Sequence, residues 1–531
     1  MGDVRQLILD EAHSSQYFIR PGARKYIKMR GLYWWKVHLV FHVSMLKRYV
    51  HDDNHMIQLE DVEIDENLTY EKNSIAILDR KVRLLSAVLS KDEFEALKKS
   101  PVFLSAYKDR PVEAHTTHTP EFLKLNPTYG LWPASGFGQD VIIGVLDSSV
   151  WPESASFRDD GLSAIPKKWK GICKPGIEFN SSLCNRKLIG ANYFNKGLLA
   201  SDPTIILSMN SARDMRGHGT HVASIAPGSF VEGVSYFGYA PGTARGIAPR
   251  ARIAVCKFSF EEGTVTSNLI AAMDQAVADG VDIQLSYGWG SMPLYEDSVA
   301  IASFGAMMKG VLVTASAGNN GPGMGTISNG VPWIFTVASG GINRSFSGTL
   351  TLGNGLKITG FSLFPVRTTI KDFVLVKNGS LSTCDSADDY AQVPNAARSI
   401  MICYSTAQED LSVSDQMGVI SEAKVGGALY VYGDPDVLAS KFFPNPGVVI
   451  SSKDWEKVTK YADNSAKPKV SISFQETRIA VKPAPVVSAF SSRGPSLSYL
   501  RVAKPDIIAP GKGRIYSRSC GFADPTTPTV I

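Results

Sequence analysis

Between residues 139 and 340, apolar runs alternate with amphipathic stretches. Asp140-Val141-Ile142-Ile143-Gly144-Val145-Leu146 is apolar on both faces, as suits a strand buried between two helix layers. Ala251 to Phe258 predicts another strand. Ser267 to Asp279 predicts an amphipathic helix ending at Gly280, and Val281 to Ser286 a strand. Tyr295 to Lys309 predicts a helix stopped by Gly310, followed by a strand over Val311 to Ala317. Strands separated by helices of about 10–15 residues predict an α/β fold with a doubly wound parallel sheet.

The flanks read differently. Residues 1–84 are rich in charge, histidine and methionine and show no long periodic stretch. Ser86-Ala87-Val88-Leu89-Ser90 predicts a strand. Lys91 to Ser100 places Phe94, Leu97 and Lys98 at helical spacing, with acids early and lysines late as the helix dipole prefers. Val102 to Tyr107 predicts a second strand. From about 370 to 475, strand-like runs such as Ser399 to Cys403 and Gly426 to Tyr432 sit among polar loops.

Composition narrows the class. The 531 residues are 44% hydrophobic and 20% charged, which suits a packed core. The net charge of +5 is too mild to mark a nucleic-acid binder. No run reaches the roughly 20 apolar residues of a membrane span. The polar start, Met1 to Gln6, is not that of a secretory signal peptide. Of six cysteines, Cys173 with Cys184 and Cys384 with Cys403 flank short loops. Two such local pairs fit an oxidising compartment; six buried thiols are the alternative. Asn-x-Ser sequons at Asn180, Asn343 and Asn378 lean towards the first.

Three motifs carry candidate chemistry. Gly144-Val145-Leu146-Asp147-Ser148-Ser149 leaves a carboxylate at the C-terminal end of an apolar strand, the edge where sites form in open α/β sheets. Gly217-His218-Gly219-Thr220-His221-Val222-Ala223-Ser224 puts a histidine at a glycine-flanked helix start. Ser316-Ala317-Gly318-Asn319-Asn320-Gly321-Pro322 puts an amide on the loop after a strand. Singly, these are a cap residue, a structural histidine and a turn. As an ordered set they resemble the subtilisin family of serine proteases. Val150-Trp151-Pro152-Glu153-Ser154, Cys184 to Ala191, Phe490 to Pro495 and Lys504 to Gly511 resemble plant subtilases specifically, so the likeness covers about 86 to 511.

The resemblance implies a subtilisin-like fold with an inserted protease-associated domain and a partial ferredoxin-like propeptide. Asp147 would orient the imidazole, His218 would be general base and then general acid, and Asn319 would donate to the oxyanion. Ser286-Tyr287-Gly288 matches the edge strand that pairs with an extended substrate. The expected parts are an incomplete catalytic domain over 119–365 and 480–515, a protease-associated domain over 366–479, a propeptide remnant over 85–118 and a divergent tail over 516–531. Residues 1–84 resemble a retrotransposon polyprotein, with remnants of an integrase zinc-binding part and of its chromodomain-proximal part. Its zinc site is broken: His13 matches one ligand, Arg20 stands in place of another, and the Cys-x-x-Cys pair is absent. No metal or cofactor is expected.

The chain departs from the family in three places. Its Asp-Thr-Gly is here Asp147-Ser148-Ser149, a loss that matters if the turn needs positive φ. Gln284 interrupts a run that is normally apolar. The Gly-Thr-Ser-Met-Ala motif of the nucleophile does not occur. The expected function is therefore serine endopeptidase by family, inactive as written; the alternatives are a non-catalytic peptide binder and a fusion or truncated gene product. Expected partners are protein or peptide substrates and the propeptide remnant, with no nucleic acid and no membrane. The family implies an extracellular place, the apoplast, although no signal peptide is seen.

Overall fold

The computed structural model describes residues 73–77, 85–89 and 118–511, except 287–292, 378–382, 391–392, 405–412, 433–442 and 499. Two compact units emerge: Val43–Ala114, and Met1–His42 together with His115–Ile531. In the first, β1 (Asn73–Ile77) pairs antiparallel with β2 (Leu85–Leu89), Ile75 opposite Ala87. The boundary expected at 84/85 thus falls between paired strands. A five-residue strand is too short to announce itself by periodicity. The helix expected over 91–100, the strand over 102–107 and both His13 and Arg20 lie outside the described residues.

In the second unit the chain forms β3 (Ile142–Asp147), β4 (Leu188–Tyr193) and helix α1 (His218–Ile225). A hairpin of β5 (Val231–Tyr236) and β6 (Tyr239–Ala244) leads to β7 (Arg252–Lys257) and the small hairpin of β8 (Ser259–Phe260) and β9 (Gly263–Thr264). Then come α2 (Thr266–Asp279), β10 (Ile283–Ser286), α3 (Ser298–Met308), β11 (Leu312–Ser316) and β12 (Phe335–Gly341). After a long excursion, β20 (Val486–Val487) and β21 (Ile507–Pro510) return. The main sheet runs β20-β12-β11-β10-β3-β7-β4, with β21 also on β12. Only β20 is antiparallel.

Both faces of the sheet are covered, as the two-sided apolar run of β3 requires. Ile142 and Leu146 join a core with Leu269 and Met273 of α2 and Ala300 and Phe304 of α3. Ile143 and Val145 point to the other core, with Val150, Phe157 and Ala223 of α1. Helix α2 stops at Gly280, whose φ of 95° is left-handed. Helix α3 starts later than its pattern suggests because Asp297 caps it, accepting from the Val299 and Ala300 amides at 2.9 and 3.1 Å. Gln284 sits fully buried on β10, its Nε2 donating to Met273 O at 2.9 Å. Its Oε1 has no partner among the described residues, yet β10 still pairs on both sides.

The excursion is a closed seven-stranded barrel: β13 (Arg344–Leu352), β14 (Lys357–Phe361), β15 (Thr369–Val376), β16 (Ser399–Tyr404), β17 (Gly427–Val431), β18 (Gly447–Ile450) and β19 (Lys469–Ile479). The boundary expected at 365/366 therefore cuts the barrel between β14 and β15. Strand β13 pairs with both β14 and β19, and its Phe346, Leu350 and Leu352 enter the barrel core beside Val470 and Ile472. Only Ile342 and Asn343 separate β12 from β13, so no linker marks the change. The β5–β6 hairpin also reaches this core. Tyr239 is fully buried there, its hydroxyl donating to Phe364 O at 3.2 Å.

Candidate active site

Asp147 ends β3 and is almost wholly buried. His218 opens α1, directly after Gly217, whose φ of 77° turns the chain into the helix. The two meet: Nδ1 of His218 lies 2.8 Å from each Asp147 carboxylate oxygen. The carboxylate also accepts the Ser148 amide at 2.6 Å, and its main-chain oxygen accepts from Phe258 N at 3.1 Å. The histidine side chain is 63% exposed, so a buried carboxylate presents an accessible imidazole. The hydrogen bond that His218 donates to Asp147 holds the ring's pKa above the usual histidine value; burial opposes this, and the charges of Asp147 and Asp214 support it.

The turn after β3 is built around Ser149, at φ 87°. The turn does take a left-handed backbone here, held by serine where the family has glycine. Ser149 is buried and its Oγ donates to Ala212 O at 2.5 Å. Ser148 Oγ accepts from Gly219 N at 2.9 Å, tying this turn to the first turn of α1. The run starting at Val150 serves the same junction. Arg213 lies over the Trp151 ring at 4.6 Å and makes a two-pronged ion pair with Glu153 at 2.6 and 2.9 Å.

Two further charged groups were not foreseen from the sequence. Asp214, fully buried, accepts four hydrogen bonds from the start of α1. Lys257 pairs with Asp147 in the sheet register, and its Nζ donates to Arg213 O at 2.6 Å. Burial pushes its pKa down to about 8, against the pull of Asp214, Glu262 and Glu261. The signal available for Asp214 was its place just before a glycine-led helix start, where a short acceptor satisfies free amides.

Asn319 is exposed on the loop following β11. Because β3, β10 and β11 are neighbouring parallel strands, Asp147 at the end of β3 and Asn319 on the loop after β11 lie at one edge of the sheet. The Phe490-to-Pro495 run clamps that loop: Ser492 Oγ accepts from Asn320 N at 3.0 Å, and Phe490 O accepts from Gly321 N at 2.9 Å. Ser286 closes β10, while Tyr287 and Gly288 lie outside the described residues. Cys173 and Cys184 are bridged with Cα atoms 6.2 Å apart, and Cys384 and Cys403 at 5.4 Å. Cys256 is a buried free thiol. Among the described residues no group of three or more His, Cys, Asp or Glu side chains is placed to hold a metal, and no helix is long and apolar enough to cross a membrane.

Comparison with known proteins gives the same direction. The subtilisin-like protease SBT3 of Solanum lycopersicum is 64% identical over 427 residues, covering 80% of this chain and 56% of that protein. SBT1.9 of Arabidopsis thaliana is 42% identical over 447 residues, covering 80% and 58%. The chain therefore spans little more than half the length of these relatives. Among solved structures, the psychrophilic subtilisin-like protease Apa1 from Pseudoalteromonas sp. AS-11 shares 13% identity at a TM-score of 0.34, over 69% of this chain and 81% of that one, which carries no argument. Residues 138–529 match the subtilase family. With that match over most of its length, the chain belongs to the subtilase family of serine proteases.

Proposed function

We propose that these residues perform the acid–base half of peptide-bond hydrolysis in a subtilase-type endopeptidase acting on protein substrates. The observation that carries this reading is the Asp147 carboxylate on Nδ1 of His218 at 2.8 Å. That contact fixes the ring so that Nε2 is the basic nitrogen, able to take a proton from a nucleophile and return it to the leaving amine. Asn319 donates to the developing oxyanion, and Ser286-Tyr287-Gly288 pairs with the extended substrate. The barrel over 344–479 is the protease-associated insert, and 85–118 the remnant of a propeptide. The two disulfides suit an oxidising, extracellular place of action.

A second reading is favoured by one feature. No Gly-Thr-Ser-Met-Ala sequence occurs in the 531 residues. Tested by itself, this polypeptide would then bind peptides without turning them over. In the subtilisin series, loss of the serine costs about 2 × 10⁶ in kcat. A fluorogenic-peptide assay with a serine-directed fluorophosphonate separates the readings. Turnover abolished by the reagent would reveal a working serine in these residues; peptide binding without turnover or labelling supports the second.

A further inference from the structure

Asp214 stands shortly before His218 and is wholly buried. Its Oδ1 accepts the amides of Arg216 at 3.0 Å and Gly217 at 2.8 Å. Its Oδ2 accepts the amide and the hydroxyl of Thr220 at 2.9 and 2.5 Å. Its own amide donates to Val150 O at 3.0 Å, just beyond the Asp147 turn. The helix cap proper is Gly217, which has no side chain to offer. The free amides at the start of α1 are therefore served by Asp214 instead. The charged groups around the site are Asp147 on β3, Arg216 before α1, Lys257 on β7, and Glu261 and Glu262 between β8 and β9.

We propose that Asp214 is a positioning residue for the reaction: a second buried carboxylate that holds the start of α1 against the Asp147 turn and stabilises the imidazolium formed when His218 accepts its proton. The proposal rests on reading Asp147 and His218 as orienter and base. A neutral acceptor would serve as a cap. A charge does more, because its interaction with the ring grows when the ring becomes a cation, and burial limits screening by solvent. The direction in which Asp214 moves the His218 pKa, upward, agrees.

The test is a histidine-ring NMR titration of the full chain, with the His218 signal assigned by its loss in His218→Gln. Asp147→Asn should lower the ring's pKa, which checks the underlying dyad. Asp214→Asn should also lower it, by less than Asp147→Asn does. Thr220→Val removes one donor to Asp214 but keeps the charge, and should leave the titration where it was. A lowered pKa in Asp147→Asn with an unchanged one in Asp214→Asn would leave Asp214 a purely structural cap and overturn the proposal. An unchanged pKa in both would remove the dyad reading and the proposal with it. Should Asp214→Asn fail to fold, the wild-type amide protons of Gly217 and Thr220 decide. They should shift with the midpoint of the His218 ring; amides that stay flat through that titration overturn the proposal.

Discussion

Gly219 and Ser149 approach so closely that a β-carbon on Gly219 would stand 2.1 Å from the Ser149 carbonyl oxygen and 2.7 Å from its amide nitrogen. Both obstacles are backbone, so neither can rotate aside. The glycine after His218 thus lets α1 lie directly on the Asp147 turn. Gly219→Ala should push the helix off that turn, costing about 1–3 kcal/mol as other overpacked sites do. The His218 pKa should fall as the Asp147 contact lengthens. Urea denaturation and the ring titration check this; an unchanged ring pKa in a folded Gly219→Ala protein would contradict it.

Ser149 holds a left-handed backbone that costs a non-glycine residue about 1–2 kcal/mol. Its buried hydrogen bond to Ala212 O returns about 1 kcal/mol. Ser149→Gly removes both effects and should change stability by under about 1 kcal/mol. Ser149→Ala keeps the strain and loses the bond, so it should be the less stable of the two. The difference between their denaturation midpoints is the measurement; alanine equal to or better than glycine would show that the backbone is not strained.

Gln284 buries an amide oxygen that has no partner among the described residues. Its Nε2 donates to Met273 O, a carbonyl inside α2 that still has its helical donor. Gln284→Leu should therefore stabilise the fold, by about 1 kcal/mol. A lower denaturation midpoint would mean that the amide contributes more than it costs.

Lys187 is fully buried, with Nζ donating to Pro249 O and Ala251 O at 2.8 and 2.7 Å. Burial, then the nearby Arg252 charge, push its pKa from 10.5 down to about 7. Between those values the unfolded chain holds the proton that the folded chain has lost. This group therefore raises stability as pH climbs from about 7 to 10.5. His218 acts with opposite sign. Its folded pKa is raised, so its contribution is complete below about 6.5 and fades as pH rises through the folded value. Lys187→Met should flatten the alkaline rise of the denaturation midpoint. An equally steep rise in the variant would place its origin elsewhere, with Lys257 the next group to test.

The main sheet was legible because β3 is apolar on both faces and because Gly280 and Gly310 stop their helices with φ of 95° and 80°. Asp147, His218 and Asn319 were legible as motifs at strand ends and a helix start. The contact of Asp147 with His218 was legible only through the family resemblance, since the two stand 71 residues apart and no local pattern pairs them. The barrel boundary was hidden because β12 runs into β13 with two residues between, and alternation in β13 looks the same in either sheet. Asp214 was passed over because it reads as one more polar loop residue until its four bonds are seen.

The most direct test supplies a serine-bearing segment. The 531 residues would be joined to a subtilase segment bearing the family's Gly-Thr-Ser-Met-Ala motif, and peptide hydrolysis measured with and without substitutions. The joined chain should cleave peptides and be labelled by a fluorophosphonate. Asp147→Asn should then cut kcat by about 10⁴, and His218→Ala by about 10⁶, as in other serine proteases. A folded, active joined chain whose turnover survives His218→Ala would contradict the assignment of Asp147 and His218 as orienter and base.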